Sequence, residues 1–145
     1  MRICVSACLL GERVKYNGGD NLVPGLVSRL SGHEILPVCP EVAGGLSVPR
    51  PPVELARGRV RTVDGADVSA AFRAGVDAAL AALDLDGTGI DLAILQSRSP
   101  TCGVNQIYDG TFTGRLIPGQ GLFAAELARR GIRVVDAADL DDLEL

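Results

Sequence analysis

Four short apolar, β-branched runs punctuate the chain at residues 2–6 (RICVS), 34–38 (EILPV), 90–95 (IDLAIL) and 132–135 (IRVV). Each has the length and character of a buried strand. Segments of helical spacing separate them. Residues 21–31 are expected to form a helix closed near Gly32. Ser69 is placed to cap the run AAFRAGVDAALAAL, and residues 120–130 (QGLFAAELARR) form a helix ended by Gly131. Arg57–Val63 (RGRVRTV) is expected to be a small strand or ribbon, with a turn at Asp64-Gly65. Buried strands alternating with helices give an α/β fold, a mainly parallel sheet flanked by helices in the Rossmann-like manner. The 145 residues, with no linker or repeat, are read as one domain, 1–145.

Charge and compartment narrow the function classes. The formal net charge of −4 is concentrated at the end: residues 136–145 (DAADLDDLEL) hold five acids and no base, and the tail is expected to be a solvated helical turn or a frayed end. Residues 1–62 hold eight bases against five acids, a balance of +3. The overall acidity argues against broad nonspecific nucleic-acid binding, while the local balance allows a basic rim around a pocket. No apolar run approaches the ~20 residues of a membrane span. Val5-Ser6-Ala7-Cys8 reads like a lipidation box, but only Ile3, Cys4 and Val5 separate it from Arg2, where a signal needs about 7–15 apolar residues. A cytoplasmic protein with reduced thiols is the expectation.

Three of the four cysteines then fall at one end of the expected sheet. Cys8 follows the first strand, Cys39 the second, and Cys102 lies in the loop after the third. Open parallel sheets bind ligands beyond the carboxyl ends of their strands, at the switch point. Cys4 lies inside the first strand and is expected to be core packing. The one histidine, His33, precedes a strand and reads as a turn residue rather than a catalytic base. Cys8 and Arg13 are one residue short of a phosphate-cradle spacing. Neither a C-x-x-C redox pair nor zinc-ribbon spacing is present. What remains is three thiolates, which suit zinc, cuprous ion or an iron–sulfur cluster. The plainer reading is that they are core residues, and their spacing alone does not decide between the two.

The neighbouring residues carry further chemistry. Glu41, two residues past Cys39, is a general acid–base candidate or a surface ion-pair partner. Ser97, Ser99 and Thr101 set hydroxyls beside Cys102, to orient a substrate, to donate a proton, or to build the turn. Tyr16-Asn17-Gly18-Gly19 and Gly44-Gly45 read as loops, and Arg50-Pro51-Pro52 as a rigid connector.

The segments SACLLGERVKYNGG, PVCPEVAGGLSVPRPP and SRSPTCGVNQIYDGTFTG, in this order, resemble the TudS thiouracil desulfurase family. The resemblance implies a 4Fe–4S cluster held by Cys8, Cys39 and Cys102 with one iron free of protein ligation, and catalytic roles for Glu41 and Ser99. It implies non-redox replacement of a thiolated pyrimidine's sulfur by oxygen. Two positions depart from the family pattern: Gln96 stands where a basic residue is usual, and Thr101 where serine is usual. A small thiolated base is the expected substrate, with a thiouridine nucleoside or transfer RNA as the alternative. A non-enzymatic iron–sulfur or sulfur carrier is the competing class.

Overall fold

The computed structural model describes residues 1–145. Four strands build the central sheet: β1 (Arg2–Ser6), β2 (Glu34–Val38), β5 (Leu92–Leu95) and β8 (Arg133–Asp136), in the order β2-β1-β5-β8, all parallel. The chain leaves β1 toward one edge, then crosses back to build the other half. The switch point therefore lies between β1 and β5.

The period of two along β1 divides the core. Ile3 and Val5 face one side with Leu9, Leu26, Leu30, Leu140 and Leu143. Cys4 faces the other, against Val76, Leu80, Phe123 and Leu127. That second side is covered by α3 (Ser69–Ala82) and α4 (Leu122–Arg129). A third cluster, Leu55, Val60, Phe72 and Ile107, fastens two hairpins to α3: β3–β4 (Val53–Ala56, Arg59–Thr62) and β6–β7 (Gln106–Tyr108, Leu116–Pro118).

Several expectations need correction. Of 21–31 only α1 (Leu26–Arg29) is helical. Pro24 has no N–H to give, Gly25 turns left-handed (φ +81), and Asn21 and Val23 donate backbone bonds to Cys8 and Leu9 carbonyls. The segment is thereby laid along the turn that carries Cys8. The ribbon at 57–63 is the second half of a hairpin whose reversal is Arg57-Gly58, both at positive φ as a two-residue primed turn requires. The turn at Asp64-Gly65 follows it.

Ser69 does not cap α3; its hydroxyl accepts the buried N–H of Val60 at 2.8 Å. The tail forms its helical turn (Ala137–Asp142) but is not frayed. Leu140 and Leu143 are buried, and the buried Asp136 carboxylate accepts the Ser97 hydroxyl and the Ala138 N–H. No helix is long and apolar enough to cross a membrane.

Candidate functional site

The carboxyl ends of β1, β2 and β5 open onto a cavity of about 490 Å³. Cys8, Cys39 and Cys102 all line it, as do Glu41, Ser99 and Gln96. Cys4 does not; it is fully buried between sheet and helices. His33 pairs with the chain's amino terminus on the far side, and Arg13 is absent from the cavity wall.

Each thiol is positioned by its own local device. Cys8 sits in the 3-10 turn Ala7–Leu10, entered directly from β1 and closed by Gly11 at φ +93. The side-chain amide of Asn21 donates to its sulfur at 3.6 Å. Cys39 immediately precedes the one-turn helix α2 (Pro40–Ala43), which packs against the middle of α3. A glycine in a helix interior is unfavourable. Gly75 is required there because a Cβ would stand 2.1 Å from the Pro40 carbonyl oxygen. A Cβ on Gly44 would stand 2.7 Å from the Gly75 Cα, so this glycine also serves the helix contact.

Cys102 lies in a tight turn after β5. The Ser99 hydroxyl oxygen accepts the N–H groups of Thr101 (3.1 Å) and Cys102 (3.0 Å). The first N–H groups of α4, which have no partner inside the helix, donate to the Pro100 and Thr101 carbonyls. Gly121 permits this, since a Cβ there would lie 2.4 Å from the Thr101 carbonyl carbon.

Burial pushes all three cavity thiols above the ordinary range, Cys102 most strongly. Charge on Cys39 adds to the effect at Cys8, and charge on Glu41, Cys8 and Cys39 adds to it at Cys102, as befits one neighbourhood. Neutral thiols such as these, Cys8 and Cys102 buried and Cys39 half-buried, become thiolates when a cationic centre stabilises the charge. No three His, Cys, Asp or Glu side chains are disposed to hold a single metal ion. Three soft donors gathered on one cavity wall fit an iron–sulfur group, which they would hold as thiolates.

Glu41 is no solvated surface carboxylate. One oxygen accepts Arg50 Nε at 2.8 Å and the other the Thr101 hydroxyl at 3.0 Å. Arg50 also donates to the Val14 and Ser47 carbonyls, tying the Tyr16 loop, α2 and the proline segment together. Arg50 is therefore a working part of the site and not a connector. Thr101 keeps the hydroxyl that serine would supply, so that departure leaves the Glu41 contact intact. Ser97 lines the cavity too, but its hydroxyl is committed to Asp136. Glu54 accepts the N–H groups of Gly110 and Phe112 and holds that loop over the opening. Of five aromatic residues in the chain, Tyr16, Tyr108 and Phe112 line this one cavity. Lys15 and Arg98 line it with no ion-pair partner, which gives the basic rim its residues.

Residues 3–139 match the 2-thiouracil desulfurase family. The chain belongs to that family. The solved structure of the [4Fe-4S]-dependent thiouracil desulfidase TudS superposes with a TM-score of 0.89 at 42% identity, covering 98% of this chain and 94% of that one. The uncharacterized protein YbbK of Bacillus subtilis (strain 168) is 34% identical over 152 residues, covering 97% of this chain and 99% of its own. The sequence alone points to the three cysteines, Glu41 and Ser99. It does not point to Arg50, Asn21 or Glu54, whose roles arise from contacts distant in sequence or hidden in loops.

Proposed function

We propose that this desulfurase binds a 4Fe–4S cluster on Cys8, Cys39 and Cys102 and that Glu41 and Ser99 carry the proton transfers. The reaction class comes with the family: sulfur is removed from a thiolated uracil. In the balanced reaction a thiocarbonyl and water give a carbonyl and hydrogen sulfide; a C–O bond forms, a C–S bond breaks, and no electrons are exchanged. A cluster with one iron free of protein ligation supplies a soft Lewis acid matched to a thiocarbonyl sulfur.

The chain's own residues do the rest. Tyr16, Tyr108 and Phe112 offer apolar faces to a flat ring and exclude bulk water. Each Glu41 oxygen uses one acceptor position on Arg50 or Thr101 and keeps another for a water proton. The water so held adds to the ring carbon. Ser99 is the better placed donor. Its oxygen accepts two backbone N–H groups, which polarise the hydroxyl, while its hydrogen goes to no protein acceptor. That proton is available to the departing sulfur, and Glu41 returns one to Ser99 through solvent.

The observation that carries this reading is the meeting of three thiols, one oriented carboxylate and one free hydroxyl in a single aromatic-walled cavity. Its size suits a small thiolated pyrimidine. A simple sulfur carrier would have no use for the ring-binding wall or the fixed Glu41. We place the protein in the cytoplasm, where such thiols stay reduced.

The test is sulfide released from 2-thiouracil by anaerobically reconstituted protein. Glu41→Gln and Ser99→Ala should slow turnover by about 10²-fold or more while retaining iron. Well-folded iron-free protein that desulfurates at the iron-loaded rate would overturn the proposal. Steep salt-dependent binding of thiolated transfer RNA would favour the RNA substrate instead.

A further inference from the structure

Gln96 is held in an unusual way for a polar residue beside a reactive site. Its backbone is fixed on both sides. Its N–H donates to the Ser6 hydroxyl oxygen at 3.0 Å, and the next residue, Ser97, is tied to the buried Asp136. The residue before it, Leu95, is fully buried at the end of β5. The side chain lines the cavity together with Cys8, Cys39 and Cys102. Its amide makes no hydrogen bond to any protein group, and no enclosed side-chain nitrogen or oxygen in the molecule lacks a partner. The amide is therefore accessible, on a residue that lines the cavity.

Three of the neighbouring polar side chains already serve protein groups. Glu41 serves Arg50 and Thr101, Glu54 serves the Gly110 and Phe112 N–H groups, and Asn21 serves Cys8. Gln96 offers a neutral donor and acceptor side by side, with neither engaged by the protein.

We propose that Gln96 reads the pyrimidine edge of the substrate. Its Oε1 accepts the ring N3–H, and its Nε2 donates to the adjoining exocyclic oxygen. In a uracil ring N3 lies between both exocyclic atoms. An amide that engages N3–H and the oxygen leaves the sulfur on the other flank of N3, free for the thiol-lined wall. Turning the ring over gives the same pairing for 2-thio and 4-thio isomers. The inference rests on the desulfurase reading for the identity of the ring, and it makes Gln96 a specificity residue.

The experiment is equilibrium titration of iron-loaded protein with uracil, which binds without reacting, and with 3-methyluracil, which lacks the N3–H. Two hydrogen bonds at about 0.5–1.5 kcal/mol each correspond to roughly a tenfold weakening of uracil binding in Gln96→Leu. Iron content and Tm should be those of the wild type. The Gln96→Glu variant keeps an acceptor but opposes the exocyclic oxygen with a second one, and should bind uracil no better than Gln96→Leu. Wild type should bind 3-methyluracil no more tightly than Gln96→Leu binds uracil.

Equal uracil affinity in wild type and Gln96→Leu, equal affinity of wild type for the two ligands, or no uracil binding by wild type would each overturn the assignment. Sulfide release from 2-thiouracil is followed alongside. Release with Gln96-independent uracil binding removes Gln96 and leaves desulfuration standing. Gln96-dependent uracil binding without sulfide release does the reverse.

Discussion

Replacing Arg50 by methionine removes the partner that fixes Glu41 and leaves most of the aliphatic volume in place. The Arg50 and Glu41 side chains are only 7% and 15% exposed, so the pair behaves as a buried one rather than a screened surface contact. Breaking such a pair from one side costs about 3–5 kcal/mol, because the remaining charge is stranded. In a domain of this size that is roughly 10–15 °C in Tm. The Val14 and Ser47 carbonyls also lose their donor, which loosens the Tyr16 loop over the cavity.

Thermal unfolding of anaerobically reconstituted Arg50→Met, Glu41→Gln and the double variant closes a double-mutant cycle. The double variant should cost less than the sum of the singles by about 2 kcal/mol, since it strands no charge. Turnover in Arg50→Met should fall with iron retained, because Glu41 is no longer aimed. Additive single effects, or an Arg50→Met protein with unchanged Tm, would show that the pair does not set the geometry of the site.

Three further outcomes follow from the same structure. Cys4→Ala should keep its full iron content and lose about 1 kcal/mol of stability, because Cys4 packs between sheet and helices and contributes nothing to the cavity; iron analysis and a melting curve decide it. Iron-free protein should lose stability in alkali. Burial holds the thiols above their unfolded value of 9.0, Cys4 at about 12, so stability is complete below pH 9 and falls as pH rises toward 12, which Tm against pH will record. Gly75→Ala sets a methyl against the Pro40 carbonyl and should displace α2 with Cys39 and Glu41, costing about 1–3 kcal/mol and reducing iron retention.

The sheet was legible because its strands are continuous apolar runs of the right length, and a parallel sheet gathers all its carboxyl ends on one side. Placing Cys8, Cys39 and Cys102 after three such runs was thus enough to bring them together. The hairpin β6–β7 was not legible: its three-residue strands are separated by a Gly- and Thr-rich loop that shows no alternation. Nor was Arg50, flanked by prolines that dominate a local reading, while its ion-pair partner is nine residues away on a different element. The expected helix at 21–31 failed because apolar spacing outweighed Pro24 and Gly25, and the segment's backbone bonds go to the Cys8 turn instead. The acidic tail read as polar by composition, yet Leu140 and Leu143, three apart, supply the buried face that docks it.

The proposed desulfurase site requires Cys8, Cys39 and Cys102 together to hold the iron–sulfur group. Iron and acid-labile sulfide per chain, measured after anaerobic reconstitution of wild type and of Cys8→Ser, Cys39→Ser and Cys102→Ser, test it most directly. About four of each in wild type, with loss or marked depletion in all three variants, is the expected result. A wild type without iron, or any one of the variants retaining the full complement, would contradict it.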